Sequence, residues 1–249
     1  MNKKIVLLIL LTIITFQTSI YANGVIVADA SIPKIVRLNS SKVAVNVENQ
    51  VAIIKTTQVF KNTTSETLLV KYAFPLPEGA SATKLMWNWS GVWYTANFSA
   101  HKPDTSLPGP PGQIAQSLSK YLGAKPLYYA FERKLKPDSV IIVELTYVQL
   151  LPYKYGIVSF TYPNDYRLLQ STVPLDSQSL NLTLSSLRTI TSVQMPSHSG
   201  ASIEQSSFSA SVQFRKLSSV ADSNYVVKYS LSPEELGLFS FSTNVPDSL

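Results

Sequence analysis

Apolar and polar residues alternate with period two along most of the chain, the pattern of strands that bury one face and wet the other. Val43, Val45 and Val47 alternate with Lys42, Ala44 and Asn46. Leu68, Val70, Tyr72 and Phe74 form a second such face, and Val143, Leu145 and Tyr147 a third. Leu180, Leu182 and Leu184, then Phe208, Ala210, Val212 and Phe214, and finally Val227, Tyr229 and Leu231 continue the series. One buried and one wet face per strand predicts an all-β protein, an antiparallel β-sandwich.

Turn chemistry separates these runs. "KNTTSE" parts two strands, "NWSGVW" reads as a tight hairpin about Ser90-Gly91, and "KPDS" turns into the strand that starts at Val140. The strand at Leu68 runs into Pro75 and Pro77, which have no N–H for a ladder and so stop it; Glu78-Gly79 turns the chain afterwards. One segment breaks the rhythm. Behind the Pro/Gly stretch Pro103 to Gly112, residues Ile114, Leu118, Tyr121 and Leu122 fall at helical spacing with Gly123 placed to cap, which predicts one short helix, the alternative being a structured loop. Alternation pauses again over 163–178, where a division into two subdomains is expected.

The N-terminus changes the picture from fold to compartment. "MNKK" and the apolar run Ile5 to Phe16 have the layout of a signal peptide, too short to span a bilayer comfortably, with "SIYA" offering cleavage after Ala22. The alternative is an uncleaved anchor. Cleavage leaves no integral membrane span and an extracytoplasmic product, secreted, periplasmic or at the cell surface. It also removes Lys3 and Lys4, so the net charge falls from 21 − 15 = +6 to 19 − 15 = +4. The remaining cations are scattered, which argues against a nucleic-acid face. With no cysteine there is no disulfide, thiolate metal site or catalytic thiol, and stability rests on the core.

Catalytic chemistry finds little footing. The two histidines, His101 and His198, belong to no H-E-x-x-H, and there is no G-x-S-x-G or phosphate loop. Ser197-His198 are neighbours in sequence, whereas nucleophile and base are normally brought together across a fold. No enzyme, cofactor or metal is expected. The sequence concentrates its tryptophans instead: in "MWNWSGVWYTANF", Trp87 and Trp89 share one strand face, with Trp93 placed across the hairpin and Tyr94 on the opposite side. Such indoles suit either a sandwich core or a flat platform for a sugar ring or a protein partner.

Two motifs carry a resemblance. "TTQVFKNTTSETLLVKYAFPLPEGASATKL" resembles the signature of the vault protein inter-alpha-trypsin (VIT) domain: Gln58, Phe60 and Asn62 on one strand, then Tyr72, Phe74, Pro75, Leu76 and Pro77 ending the next. About 70 residues on, a distance one domain accommodates, "FERKLKPDSVIIVELTYVQLL" is similar to the family's later turn and strand, with Tyr147 near its end. Past residue 150, "LNLTLSSLRTITSVQMPSHSG" and "SNYVVKYSL" resemble the β-rich segment that joins a VIT domain to a von Willebrand A-type domain. The D-x-S-x-S metal loop of that next domain is not matched, since Asp29-Ala30-Ser31 is followed by Pro33. The family's charged helical segment is likewise replaced by the Pro/Gly loop. The resemblance implies a VIT-like sandwich over 25–155 and a β-rich companion over 156–249. It also implies a non-catalytic structural or protein-interaction role with a protein partner at the cell envelope or outside. The alternative is a glycan-binding sandwich that uses Trp87, Trp89 and Trp93.

Overall fold

The computed structural model describes residues 23–28, 34–96, 113–123 and 126–233. The expected leader, His101 and the Pro/Gly stretch lie outside the described residues. The chain is mostly β, antiparallel in every described pairing but one, with one short helix.

The longest sheet is built on β2 (Lys34–Glu48) and β3 (Val51–Lys61), joined by a turn in which Asn49 takes a positive φ of 55°. On the far side of β3 lies β8 (Val140–Leu150), then β5 (Ala80–Trp89) and the short β6 (Val92–Thr95). Their alternation is visible in burial: Val43, Val45, Val47, Ile54, Phe60, Leu85, Val143, Leu145 and Tyr147 all face inward. The opposing layer is β1 (Val25–Ala28), β4 (Leu68–Pro75) and β7 (Pro126–Leu135), each paired antiparallel with the next. β1 also pairs with Lys34–Val36, the first residues of β2, so it links the two layers. Pro75 pairs with Pro126 at the end of its ladder, and Ala80 N–H then closes a turn onto the Pro77 carbonyl, Gly79 taking φ 72°.

The helix α1 (Gln113–Leu122) forms where its spacing predicts and ends on Gly123, whose φ of 69° and N–H bond to the Ser119 carbonyl are those of a left-handed cap. It buries Leu118, Tyr121 and Leu122.

The second half does not stand apart from the first. β11 (Leu175–Ser185) pairs in parallel with β2 over Ser40 to Glu48, and β14 (Ser209–Ser219) and β13 (Ser202–Gln205) extend the same sheet beyond it. One sheet thus crosses the expected boundary. A second sheet, β12 (Ile190–Gln194), β15 (Tyr225–Leu231), β10 (Ile157–Tyr162) and β9 (Tyr153–Lys154), packs on it through contacts such as Phe214 with Tyr225, 5.8 Å between ring centroids. Both halves contribute to one buried cluster. One residue departs from its expected face: Phe208 is 54% exposed, because β14 begins only at Ser209 and Phe208 belongs to the preceding turn.

Candidate functional site

The motif residues Gln58, Phe60, Asn62, Tyr72, Phe74 and Tyr147 all point into the sandwich and are at most 1% exposed. Each joins layers. Tyr72 O–H donates to Gln58 Oε1 at 2.8 Å, and the Phe60 and Tyr72 rings meet edge to face. Phe74 lies 5.6 Å from the Tyr147 ring and 6.4 Å from Tyr162. Asn62 Nδ2 donates to the carbonyls of Glu66 and Leu135, and its Oδ1 accepts from the N–H and hydroxyl of Thr64. One side chain therefore fixes the β3–β4 turn and the end of β7. Of the two residues that follow Pro75, Leu76 is half-buried and Pro77 is buried.

Gln58 leads to a feature with no sequence signal. Its Nε2 donates to Asn23 Oδ1, which also accepts from the hydroxyls of Ser41 and Tyr162, each at 3.0 Å. Asn23 Nδ2 donates to Asn164 Oδ1, and Asn164 Nδ2 donates to Gln178 Oε1, both at 2.8 Å. Gln178 then accepts from Tyr225 O–H and donates to Ser219 Oγ and the Val220 carbonyl. The backbone of Asn23 closes on one hydroxyl: its N–H donates to Tyr121, whose O–H donates to the Asn23 carbonyl. Asn23, Gln58 and Asn164 are fully buried, so unpaired each would carry a large desolvation cost; paired, they lock both halves into one arrangement. Amide side chains of this kind, scattered over 155 residues of sequence, are recognisable only after folding.

The fit around this cluster is tight. A Cβ on Gly24 would stand 2.3 Å from Tyr72 Oη and 2.5 Å from Gln58 Oε1. Gly24→Ala should therefore cost about 1–3 kcal/mol through overpacking, read as a lower denaturant midpoint at unchanged slope. A change within about 0.5 kcal/mol, the range of ordinary surface substitutions, would contradict the packing described.

Burial pushes the hydroxyls of Tyr72, Tyr121, Tyr147, Tyr162, Tyr166, Tyr225 and Tyr229 well up from the ordinary tyrosine value. His198 moves down, because burial disfavours its charged form more than Asp222 favours it. Its ring packs against Phe214 and Tyr225, and Nδ1 lies 2.8 Å from Ser197 Oγ.

The tryptophan hairpin is arranged differently from the expectation. Ser90 (φ 52°) and Gly91 (φ 87°) make a two-residue primed turn, which pairs Trp89 with Val92, Asn88 with Trp93 and Trp87 with Tyr94. Directly paired residues share a face, so Tyr94, rather than Trp93, lies beside Trp87; their rings stack at 5.7 Å and 15°. Trp87 also meets Tyr129 and Phe131 of β7 at 4.9 and 5.4 Å, Trp89 packs on Phe131, and Arg133 sits 5.1 Å over the Tyr94 ring. Trp89 is buried and Trp87 half-buried, whereas Trp93 is 45% exposed on the other face; Val92, opposite Trp89, is 52% exposed at the hairpin tip. The three indoles do not form one platform. Phe131 is buried and Tyr129 packs against the core, whereas Arg133 is exposed and covers the Tyr94 ring from outside; the period-two spacing of the three in "YAFER" was the available signal.

Among the described residues no group of three His, Cys, Asp or Glu side chains could hold a metal ion, and no helix is long and apolar enough to cross a membrane. The latter says nothing of crossing by strands.

Residues 38–102 match the family described as the vault protein inter-alpha-trypsin domain. No curated protein matches the chain. Among solved structures, one from Legionella pneumophila subsp. pneumophila str. Philadelphia 1, titled a "putative nutrient binding protein", is similar at 14% identity with a TM-score of 0.57, over 84% of this chain and 70% of that one. An M1 zinc metallopeptidase from Deinococcus radiodurans aligns at 11% identity and a TM-score of 0.44, over 77% of this chain and 42% of that one.

Proposed function

We propose that this chain, which carries a VIT domain at residues 38–102, is an exported, non-catalytic module that binds a protein partner at the cell envelope or outside it. The VIT match is the observation that carries the reading, since the domain points to protein interaction. Two features agree with it. The residues that define the motif are used up inside the sandwich, which leaves recognition to the exterior. At the hairpin tip Trp93 stands exposed on the face turned away from Trp87 and Trp89, an aromatic group of the kind that anchors interfaces. The glycan reading loses its platform, because Trp87 and Trp89 pack against β7 and only Trp93 is left for stacking.

A photo-crosslinking residue in place of Trp93, introduced in the producing cells, should give a discrete protein adduct. The same residue at Tyr155, which is fully exposed on another turn, should not. Equal adducts from both positions would sink the hairpin as the contact. Saturable protection of Trp93 from acrylamide quenching by an oligosaccharide would move the function to carbohydrate recognition.

A further inference from the structure

Asn23 is built into the interior more thoroughly than a chain terminus normally is. It has no exposed surface, its side chain is hydrogen-bonded to Ser41, Gln58, Tyr162 and Asn164, and its backbone N–H and C=O are both held by Tyr121. All of these partners are uncharged. Beside them, the Tyr166 ring stands edge-on to Tyr121 at 5.6 Å, and its buried hydroxyl has no hydrogen-bond partner among the described residues. An orphan hydroxyl in a folded interior needs an explanation. A nitrogen with more hydrogens than an amide supplies one.

We propose that Asn23 is the first residue of the processed protein, and that its α-amino group is buried between Tyr121 and Tyr166 as a structural plug. The proposal rests on the export reading. In the cleavage step a leader-removing endopeptidase adds water across the Ala22–Asn23 amide. The C–N bond breaks, and the water oxygen goes to Ala22, which leaves as a carboxylate on the leader. One water proton goes to the Asn23 nitrogen to give the neutral amine that the uncharged site accepts, and the other proton passes to solvent. The amine so formed can serve two oxygens where the amide N–H serves one. Because Asn23 is enclosed by α1, β2, β3 and β10, the bond is within reach of a protease only before the sandwich closes. Processing therefore precedes folding.

The test begins with the native protein recovered from outside the cytoplasm, by intact mass and N-terminal sequencing. A first residue of Asn23 is expected. An exported protein that starts elsewhere overturns the processing site but leaves export standing, and an uncleaved cytoplasmic protein overturns both. With the Asn23-start protein, an amine-selective aldehyde should modify the native terminus at least about 100-fold more slowly than the denatured one, since the amine is reached only by opening of the core. Equal rates overturn the burial. Tyr166→Phe separates the amine's role from general packing: it should lower the melting temperature of the chain that begins at Asn23 but not of one that retains residues 20–22. Equal shifts in the two chains would remove Tyr166 from the site.

Discussion

Raised above about pH 10, the protein should unfold in one cooperative step. Among the described residues seven tyrosines are fully buried, and burial raises the pKa of each. In the unfolded chain they titrate near the ordinary value of about 10. A group whose folded pKa is raised contributes stability that is complete below the unfolded pKa and is lost as pH rises above it, since the unfolded state alone sheds the proton. Each such group contributes a slope of about 1.4 kcal/mol per pH unit in that window, and seven together roughly 10. Against a total stability of about 5–15 kcal/mol, the midpoint should fall between about pH 10.5 and 11.5. Phenolate absorbance and loss of far-ultraviolet circular dichroism should therefore rise together. Smooth titration of most tyrosines while the β signal persists would show that the interior admits water.

Phe74→Ala should cost about 3–5 kcal/mol, the range for emptying an aromatic site in a packed core. Phe74 is completely buried at the end of β4 and touches Tyr147 on β8 and Tyr162 on β10, so three strands lose a shared contact. The prolines behind it restrict relaxation, because Pro75 closes the ladder opposite Pro126 and the chain turns at once into β5. Urea unfolding of the purified variant measures the loss. A value below about 1 kcal/mol, typical of surface changes, would remove Phe74 from the core.

The two predictions draw on residues of different legibility. Phe74 and Tyr147 could be placed from sequence because period-two alternation and a stopping proline are local signals, complete within ten residues. The hairpin faces were just as local, yet they depend on loop length: a two-residue turn at Ser90-Gly91 sets Trp87 against Tyr94, and a shift of one residue reverses every side chain. The parallel pairing of β11 with β2 and the Asn23–Asn164–Gln178 chain lie beyond such reasoning. Both join segments more than 130 residues apart, and a lone asparagine or glutamine carries no hint of its partner. Polar residues were legible as turn formers; those that wire the interior were not.

The dipeptide Asn23-Gly24 carries a chemical liability that the fold suppresses. An asparagine before glycine is the arrangement most open to cyclisation, because the unhindered glycine nitrogen can swing onto the side-chain carbonyl and expel ammonia. Here the Asn23 carbonyl oxygen is held by three donors, its amide nitrogen is tied to Asn164, and the Gly24 backbone is pinned beneath Tyr72 and Gln58. The folded protein is thereby guarded against deamidation at this position, and isoaspartate should accumulate there only in chains that have lost the cluster. The amide network that organises the interior also sets how long the molecule stays chemically intact.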